Sequence, residues 1–352
     1  VKTMQSNNKK AAVALSGGLD SSVTCFLLKQ QGYDVVSITA KMVDDENFEQ
    51  VAQNAKKVAE KLEIPHYVLD LSEDFKKNII DYFENSYKCG KTPNPCIMCN
   101  KTIKWGRLFD FAINELGADV IATGHYAKIE HKNGVSRLFP ASDRRKDQLY
   151  YLFELSQEQL GRTIFPLSGL VKDDIRRIAQ ENDLPSKSSK ESQDICFIKK
   201  PMTTKKYLLE KLIPEKGDFI LEKSGKKLGT HEGFFQYTIG QRKGVGIAYS
   251  EPLYVTRIDA KNNIVYLGTK EELYSESVTV KNFKTQYPTD EKSMEVLAKI
   301  RYNMDFKPAH VEIDGNTAKI SFKEPVASVT SGQAAVLYDP VDGHLIGGGW
   351  IE

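Results

Sequence analysis

Apolar positions follow two regimes along the chain. In the first half, short continuous apolar runs alternate with segments whose apolar residues recur every three or four positions. Ala11-Ala12-Val13-Ala14-Leu15 reads as a buried strand, and Val23, Phe26 and Leu27 at helical spacing place a helix after it. Further strands are expected over 34–40, 66–70 and 118–123. Helices carry Val51, Ala55, Val58 and Leu62, then Phe75, Ile79 and Phe83, then Leu108 and Ala112, with a break at Lys91 to Pro95. Strands alternating with helices require parallel pairing with helices on both faces, which makes the fold class α/β, a doubly wound parallel sheet. Ligands in such sheets sit at the carboxyl ends of the strands.

The rest of this half is less regular. Lys132-Asn133-Gly134 looks like a hairpin tip between strands over 127–131 and 135–139. Helical patterns run over 157–161 and 172–182, and Leu184-Pro185 stops the second. From Gly217 the pattern changes to short β-branched and aromatic runs over 219–221, 234–239, 253–258 and 264–267. A further series over 277–283, 296–302, 309–313, 318–322, 334–338 and 345–351 has the spacing of a small barrel. The expected organisation is a doubly wound domain over residues 1–206, a small β-rich central domain over 207–273 and a C-terminal β-barrel over 274–352.

The strand-turn-helix at the start contains Ser16-Gly17-Gly18-Leu19-Asp20-Ser21-Ser22. Two glycines let backbone approach an anion, and the serine hydroxyls add donors where a new helix leaves its first N–H groups unpaired. Asp20 fits such a cradle by orienting a bound magnesium ion or the loop's own N–H groups. The pattern is not the common phosphate loop, because the single Gly90-Lys91-Thr92 has Asn85 where the first glycine should stand. Ser16 to Ser22 instead resembles the pyrophosphate loop of the ATP pyrophosphatase superfamily. That likeness implies ATP, cleaved to AMP and pyrophosphate to adenylate a substrate oxygen.

Composition narrows the class. The 352 residues are 40% hydrophobic and 27% charged, an ordinary globular balance, and no run approaches the length of a membrane span. Residues Val1 to Lys10 are polar, without the apolar stretch of a secretion signal, so a cytoplasmic location is expected. The formal net charge is only +2, so a nucleic-acid partner must be held by a local basic patch. Six lysines between Ser186 and Lys206 form the most basic stretch, and they surround Cys196. Lys187, Lys199 and Arg242 are expected in a groove whose RNA affinity falls steeply with salt.

Five cysteines, Cys25, Cys89, Cys96, Cys99 and Cys196, in a chain without a secretion signal favour reactive or metal-binding thiols over structural disulfides. Cys96 and Cys99 follow Thr92-Pro93-Asn94-Pro95. The prolines hold the entry extended, so that the pair opens a helix whose N-terminus favours thiolate. The pair is a poor zinc site because no second C-x-x-C exists.

Thr92 to Lys104, Thr123 to Tyr126, Lys146 to Leu152, Ser192 to Ile198, Gly240 to Ile247 and Ser331 to Gln333, together with the pyrophosphate loop, resemble in content and order the tRNA-specific 2-thiouridylases of bacteria. The resemblance covers nearly the whole chain. It implies adenylation by ATP with Mg2+ of the 2-carbonyl of the wobble uridine of tRNA, then replacement of that oxygen by sulfur from an upstream donor, a cysteine desulfurase or relay protein. By match to the motifs, Cys99 is the nucleophile and Cys196 carries a persulfide. Ala14, Leu15, Ser16, Gly17, Gly18, Leu19, Asp20, Ser21, Ala40 and Gly124 would bind the nucleotide. Asn94, Pro95 and Cys96 would hold the target base, and His125, Lys146, Asp147, Gln148, Arg301, Tyr302 and Gln333 would contact tRNA. Two departures stand out: Cys96 replaces an aspartate common in the family, and Ala40 a frequent methionine. Cys96, Cys99 and Cys196 together also resemble the three ligands of a four-iron four-sulfur cluster in related tRNA thiolases, which leaves a cluster mechanism beside the persulfide one. Cys25 and Cys89 are expected to be incidental. A tRNA-binding protein with a decayed site, or another adenylating enzyme of the superfamily, are the competing readings.

Overall fold

The computed structural model describes residues 9–43, 46–187 and 195–352. Ser192, Gln193 and Asp194 of the motif around Cys196, with Lys190 and Glu191, lie outside the described residues. By contacts the chain divides into two compact units, one of Val1–Ile79, Cys96–Gln193 and Asp342–Leu345, the other of Ile80–Pro95, Asp194–Val341 and Ile346–Glu352.

In the first unit, β1 (Lys10–Ala14), β2 (Asp34–Lys41), β3 (His66–Asp70) and β4 (Val120–Ala122) are followed by a hairpin of β5 (Lys128–Lys132) and β6 (Val135–Phe139), then by β7 (Thr163–Ile164). β1, β2, β3, β4 and β7 form one parallel sheet in the order β3-β2-β1-β4-β7. β1 is central, and its Ala11, Ala12 and Val13 are fully buried, as a strand covered on both faces must be. Val13, Leu15, Val23 and Leu28 share one core cluster with Ile175 and Ala179 of the helix Lys172–Glu181. The loop after β1 therefore emerges at the carboxyl edge, where the strand order turns from β2 on one side to β4 on the other.

In the second unit, β8 (Gly217–Leu221), β9 (Lys227–His231), β10 (Tyr254–Asp259) and β11 (Ile264–Gly268) form a sheet in the order β10-β11-β8-β9. β12 (Tyr274–Thr285), β13 (Ser293–Lys299), β14 (Lys307–Asp314), β15 (Thr317–Ala327), β16 (Ala334–Tyr338) and β17 (Leu345–Ile351) close a six-stranded barrel in the order β12-β15-β14-β13-β16-β17. Alternate residues such as Val278, Val280, Val311 and Ile320 point into it. Among the described residues no helix is long and apolar enough to cross a membrane.

The expected fold class holds, with local corrections. The strand expected over 234–239 is instead a 3-10 turn, Phe234–Gln236, entered through Gly233 at φ 133°. Phe235 and Tyr237 are buried at alternate positions because they plug two different clusters, and that alternation imitates a strand. β7 and β9 escape the sequence pattern: β7 is only two residues long and β9, Lys-Leu-Gly-Thr-His, carries little apolar signal. The helix Thr204–Lys211, capped by the Thr203 hydroxyl accepting from Lys206 N at 3.3 Å, was hidden among lysines.

Ile38 sits fully buried on β2 opposite Ala14, the last residue of β1. Ile38→Ala is expected to cost about 2–5 kcal/mol, read from the denaturant midpoint of the first transition; a cost near zero would place β2 outside the core.

Candidate functional site

Leu15 continues β1 by donating its N–H to the Ile38 carbonyl at 2.8 Å, and the chain then turns at Gly17 (φ 71°). A Cβ at Gly17 would lie 3.0 Å from Ala55 N and Asn54 Cβ of the helix Glu46–Lys61, so both backbone conformation and space require glycine there. Gly18 is the N-cap of the helix Leu19–Gln30 and supplies no side-chain cap, which leaves first-turn N–H groups facing the loop. The Ser21 and Ser22 hydroxyls donate to the Gly18 carbonyl at 3.1 and 2.7 Å, and Ser16 Oγ lies 3.1 Å from Ser21 Oγ. Those hydroxyls shape the loop and take two of its N–H groups, Ser16 N–H donating to Ser21 Oγ at 3.2 Å and Gly18 N–H to Ser16 Oγ at 3.4 Å, so the donors offered to an anion are the first-turn N–H groups of the helix.

Asp20, expected to orient a magnesium ion or the loop's N–H groups, takes Lys172 Nζ at 2.8 and 2.9 Å and the Tyr126 hydroxyl at 2.9 Å. Lys172 Nζ also lies 5.7 Å from the Tyr126 ring centroid. The Lys172 side chain is only 8% exposed, which makes this a largely buried ion pair at the head of the helix. Sequence reasoning missed Lys172. The one signal is a lysine in the first turn of its own helix, where the helix dipole disfavours a cation and where Asp173 and Asp174 conform to the rule.

Gly124 packs on the same aspartate, for a Cβ there would come within 2.9 Å of Asp20 Cβ. Ala40 lies half-buried on β2, beyond the end of its pairing with β1. Tyr126 is tied in turn: its N–H donates to Gln148 Oε1 and its carbonyl accepts from Gln148 N, each at 3.0 Å. Asp147 accepts from Ala141 N at 3.1 Å and Leu149 N at 3.2 Å. Asp147 and Gln148 thus brace the loop that carries Tyr126, and the half-buried Lys146 follows the same turn.

His125, expected to contact tRNA, is 8% exposed. Its ring packs against Trp105 and Phe165, and Nδ1 lies 2.7 Å from Thr123 Oγ1. Burial, then the nearby Lys104 charge, holds it well below the usual histidine range, so it is neutral at physiological pH.

Cys96 and Cys99 lie on the short helix Pro95–Cys99, which runs into the wide π-turns of Asn100–Leu108. Cys99 is buried and Cys96 exposed. The Cys96 thiol is accessible yet crowded: desolvation pushes it up and the Lys104 charge pulls it only partly back. The expected thiolate-favouring effect of the helix start is therefore outweighed at Cys96. Lys104, which acts on both Cys96 and His125, is a second residue the sequence reading left out of the site. The following turn is anchored by Asn100 Nδ2 to the Tyr151 carbonyl at 3.0 Å and by Lys101 Nζ to the buried Glu154 carboxylate at 3.0 Å.

In the second unit, Gln333 Nε2 donates to the Thr92 carbonyl at 2.9 Å, ahead of Asn94 and Pro95. Arg301 Nη2 donates to the Ala327 and Ser328 carbonyls at 2.5 and 3.2 Å, and the Tyr302 carbonyl accepts from Lys299 Nζ at 3.3 Å. Cys196 is exposed on a turn pinned on both sides, because Ile195, Phe197 and Ile198 pack with Phe83, Tyr87 and Tyr207. Arg242 and Lys199 lie in this unit as well, whereas Lys187, in the first, pairs with Asp183 at 2.5 Å. Cys25 is fully buried, and burial pushes its thiol far up. Cys89 is exposed.

Three family profiles match consecutive parts of the chain: a tRNA methyl transferase HUP domain over residues 9–200, a tRNA methyl transferase PRC-barrel domain over 205–269 and an aminomethyltransferase beta-barrel domain over 275–351. The chain is 42% identical over 351 residues to tRNA-specific 2-thiouridylase MnmA 2 of Clostridium botulinum (strain Hall), spanning 97% of this chain and 98% of that protein. It is also 42% identical over 363 residues to the tRNA-specific 2-thiouridylase MnmA of Chlorobium luteolum, spanning 99% and 98%. Among solved structures, the U34-tRNA thiolase NcsA from Methanococcus maripaludis with its [4Fe-4S] cluster superposes with a TM-score of 0.38 at 20% identity, over 59% of this chain and 65% of that one.

Lys172→Met strands the Asp20 carboxylate. Because Asp20 is partly solvated, the expected loss is about 1–3 kcal/mol, with ATP affinity about tenfold weaker by calorimetry and Lys172→Arg recovering part of both. Unchanged stability and affinity would show that the pair is incidental.

Proposed function

The chain belongs to the tRNA-specific 2-thiouridylases, enzymes that transfer sulfur to tRNA, and from that premise we propose how its residues divide the reaction. The observation that carries the proposal is the cradle at the carboxyl edge of β1, built around Asp20 and Lys172 and set in the same unit as Cys96 and Cys99. First-turn N–H groups of the helix Leu19–Gln30 hold the β- and γ-phosphates of ATP in the loop shaped by Ser16, Gly17, Gly18 and Ser21, and Mg2+, when bound beside Asp20, would offset the phosphate charge. Ala14, Leu15, Ala40 and Gly124 border the nucleoside. Asn94, Pro95 and Cys96 receive the wobble uridine. Its 2-oxygen attacks the α-phosphorus, pyrophosphate leaves, and a poor leaving group becomes AMP.

Sulfur arrives as a persulfide on Cys196, passed by a cysteine desulfurase or relay protein in the cytoplasm. The terminal sulfur attacks C2 of the base and AMP departs. Cys99 then attacks the Cys196 sulfur, breaks the S–S bond and frees the 2-thiouridine, and an external thiol reduces the resulting disulfide. Neutral, buried His125 orders the wall of Trp105 and Phe165 behind this chemistry, while Lys104 supplies the cation that attracts an RNA phosphate. Arg301, Tyr302, Lys199 and Arg242 belong to the tRNA-facing surface of the second unit. The working organisation is a catalytic domain of residues 1–206, a central domain of 207–273 and a barrel of 274–352. Methyl transfer, the activity in the profile names, has no use for an ATP loop and two reactive thiols.

One observation favours a second reading of sulfur delivery. Cys96 and Cys99 stand three residues apart on one helical turn, and a thiol raised by desolvation is deprotonated outright when it meets a metal. With Cys196 they could hold a four-iron four-sulfur cluster, which would supply sulfide at an open iron.

The test is anaerobic purification with iron and acid-labile sulfide measured beside thiolation. The persulfide reading expects no stoichiometric iron, loss of thiolation by at least about a thousandfold in Cys99→Ala and Cys196→Ala, and a change below about tenfold in Cys96→Ala. About four irons per chain, lost together with activity in Cys96→Ala, would replace it with the cluster reading.

A further inference from the structure

We propose that the Ser331-Gly332-Gln333 turn of the barrel is a clasp that fixes the backbone immediately ahead of Cys96, with Gln333 as a positioning residue for the base-binding segment. This role rests on the reading above, in which Asn94 to Cys96 receive the uridine.

The clasp joins the backbone of one segment to the backbone and one side chain of the other. Thr92 N–H donates to the Ser331 carbonyl at 2.9 Å, and Gln333 Nε2 donates back to the Thr92 carbonyl at 2.9 Å and reaches the Pro93 carbonyl at 3.4 Å. Gly332, at φ 89°, lies flat on this segment: a Cβ there would be 3.0 Å from Lys91 Cβ and from the Thr92 carbonyl oxygen. The turn is itself welded to the last strand, because Gly332 N donates to the Ile351 carbonyl at 3.0 Å and Ile351 N to the Gln333 carbonyl at 2.8 Å.

The clasped segment needs an outside donor. Pro93 and Pro95 bias the residues before them, Thr92 and Asn94, away from helical conformation, so the Thr92 and Pro93 carbonyls take their donor from outside the segment. Gln333 supplies that donor. The same prolines fix φ at two of the four residues between Lys91 and Cys96, so holding Thr92 directs Asn94 and the start of the helix Pro95–Cys99. An amide spent on two backbone carbonyls is turned toward the protein, which makes its first effect on the reaction one of geometry. The barrel thereby acts on the turnover of bound tRNA as well as on its capture.

The clasp is tested in the full chain with Gln333→Ala and the isosteric Gln333→Glu, which keeps the volume and removes the donor. Hydrogen exchange at Thr92 is expected to quicken about tenfold and alkylation of the buried Cys99 severalfold. kcat for thiolation should fall about ten- to hundredfold, while the tRNA Kd stays within about twofold and Tm shifts little. Gly332→Ala, which wedges the two backbones apart, should act in the same direction. A raised tRNA Kd with unchanged kcat and unchanged Thr92 exchange would overturn the proposal and make Gln333 an RNA contact. Faster exchange and alkylation with unchanged kcat would leave the clasp standing but sink the assignment of Asn94 to Cys96 on which its role depends.

Discussion

A carboxylate in a site built for phosphates is an electrostatic contradiction, and the way this fold resolves it organises the first unit. Asp20 stands at the head of the first helix, where its negative charge would repel the ligand the loop invites. Lys172, 152 residues away in sequence, closes on it with two short bonds and is almost completely desolvated in doing so. The pair is locally neutral, so the field left at the loop is that of the backbone N–H groups. Each partner is then fixed from behind. Tyr126 holds Asp20 and is held by Gln148, while the backbone of Lys172 donates to the buried Asp143 at 3.2 Å. One ion pair thus fastens the turn after β1, the turn after β4 and a late helix into a single rigid rim.

That rim explains what was legible in the sequence and what was not. The strand, the glycines and the helix after them are local, written in apolar period and backbone freedom, and they stand where the pattern put them. Lys172 is not local. Nothing within reach of a sequence window pairs it with Asp20, and only the unfavourable position of a cation in a helix's first turn hinted that it had work elsewhere. The burial of His125 was equally out of reach of a local reading. Its motif read as a contact for a partner, whereas its neighbours Trp105 and Phe165 come from distant segments and seal it inside. The barrel was legible as a barrel because its strands alternate. The 3-10 turn at Phe234–Gln236 deceived because two separate clusters happened to draw on alternate residues.

The helical stretch containing Phe75, Ile79 and Phe83 shows a subtler limit. Periodicity presents it as one amphipathic helix of the doubly wound domain. In the structure the π-turns of Lys76–Ile80 interrupt it, and its apolar residues serve different cores on either side. Phe75 and Ile79 are buried in the first unit. Phe83 and Tyr87 pack with Phe197, Tyr207 and Phe235 in the second, and Tyr82 meets Trp350 edge-on. A wide turn changes the angular step between successive side chains, so a stripe that is continuous in sequence can rotate to a new partner. The segment that leads to Asn94 and Pro95 is thereby governed by the β-rich unit although it lies within the α/β run of sequence.

The thiols complete the same logic, because burial sorts them by what each can do. Cys25 is sealed in the core with its proton held tightly, which removes it from thiol chemistry. Cys196 is exposed on a turn whose flanking residues are packed, so its sulfur can be reached without disturbing the fold. Cys99 is shielded on a helical turn, out of easy reach of oxidants. Cys96 is the intermediate case, accessible but desolvated, beside a lysine that favours its anion.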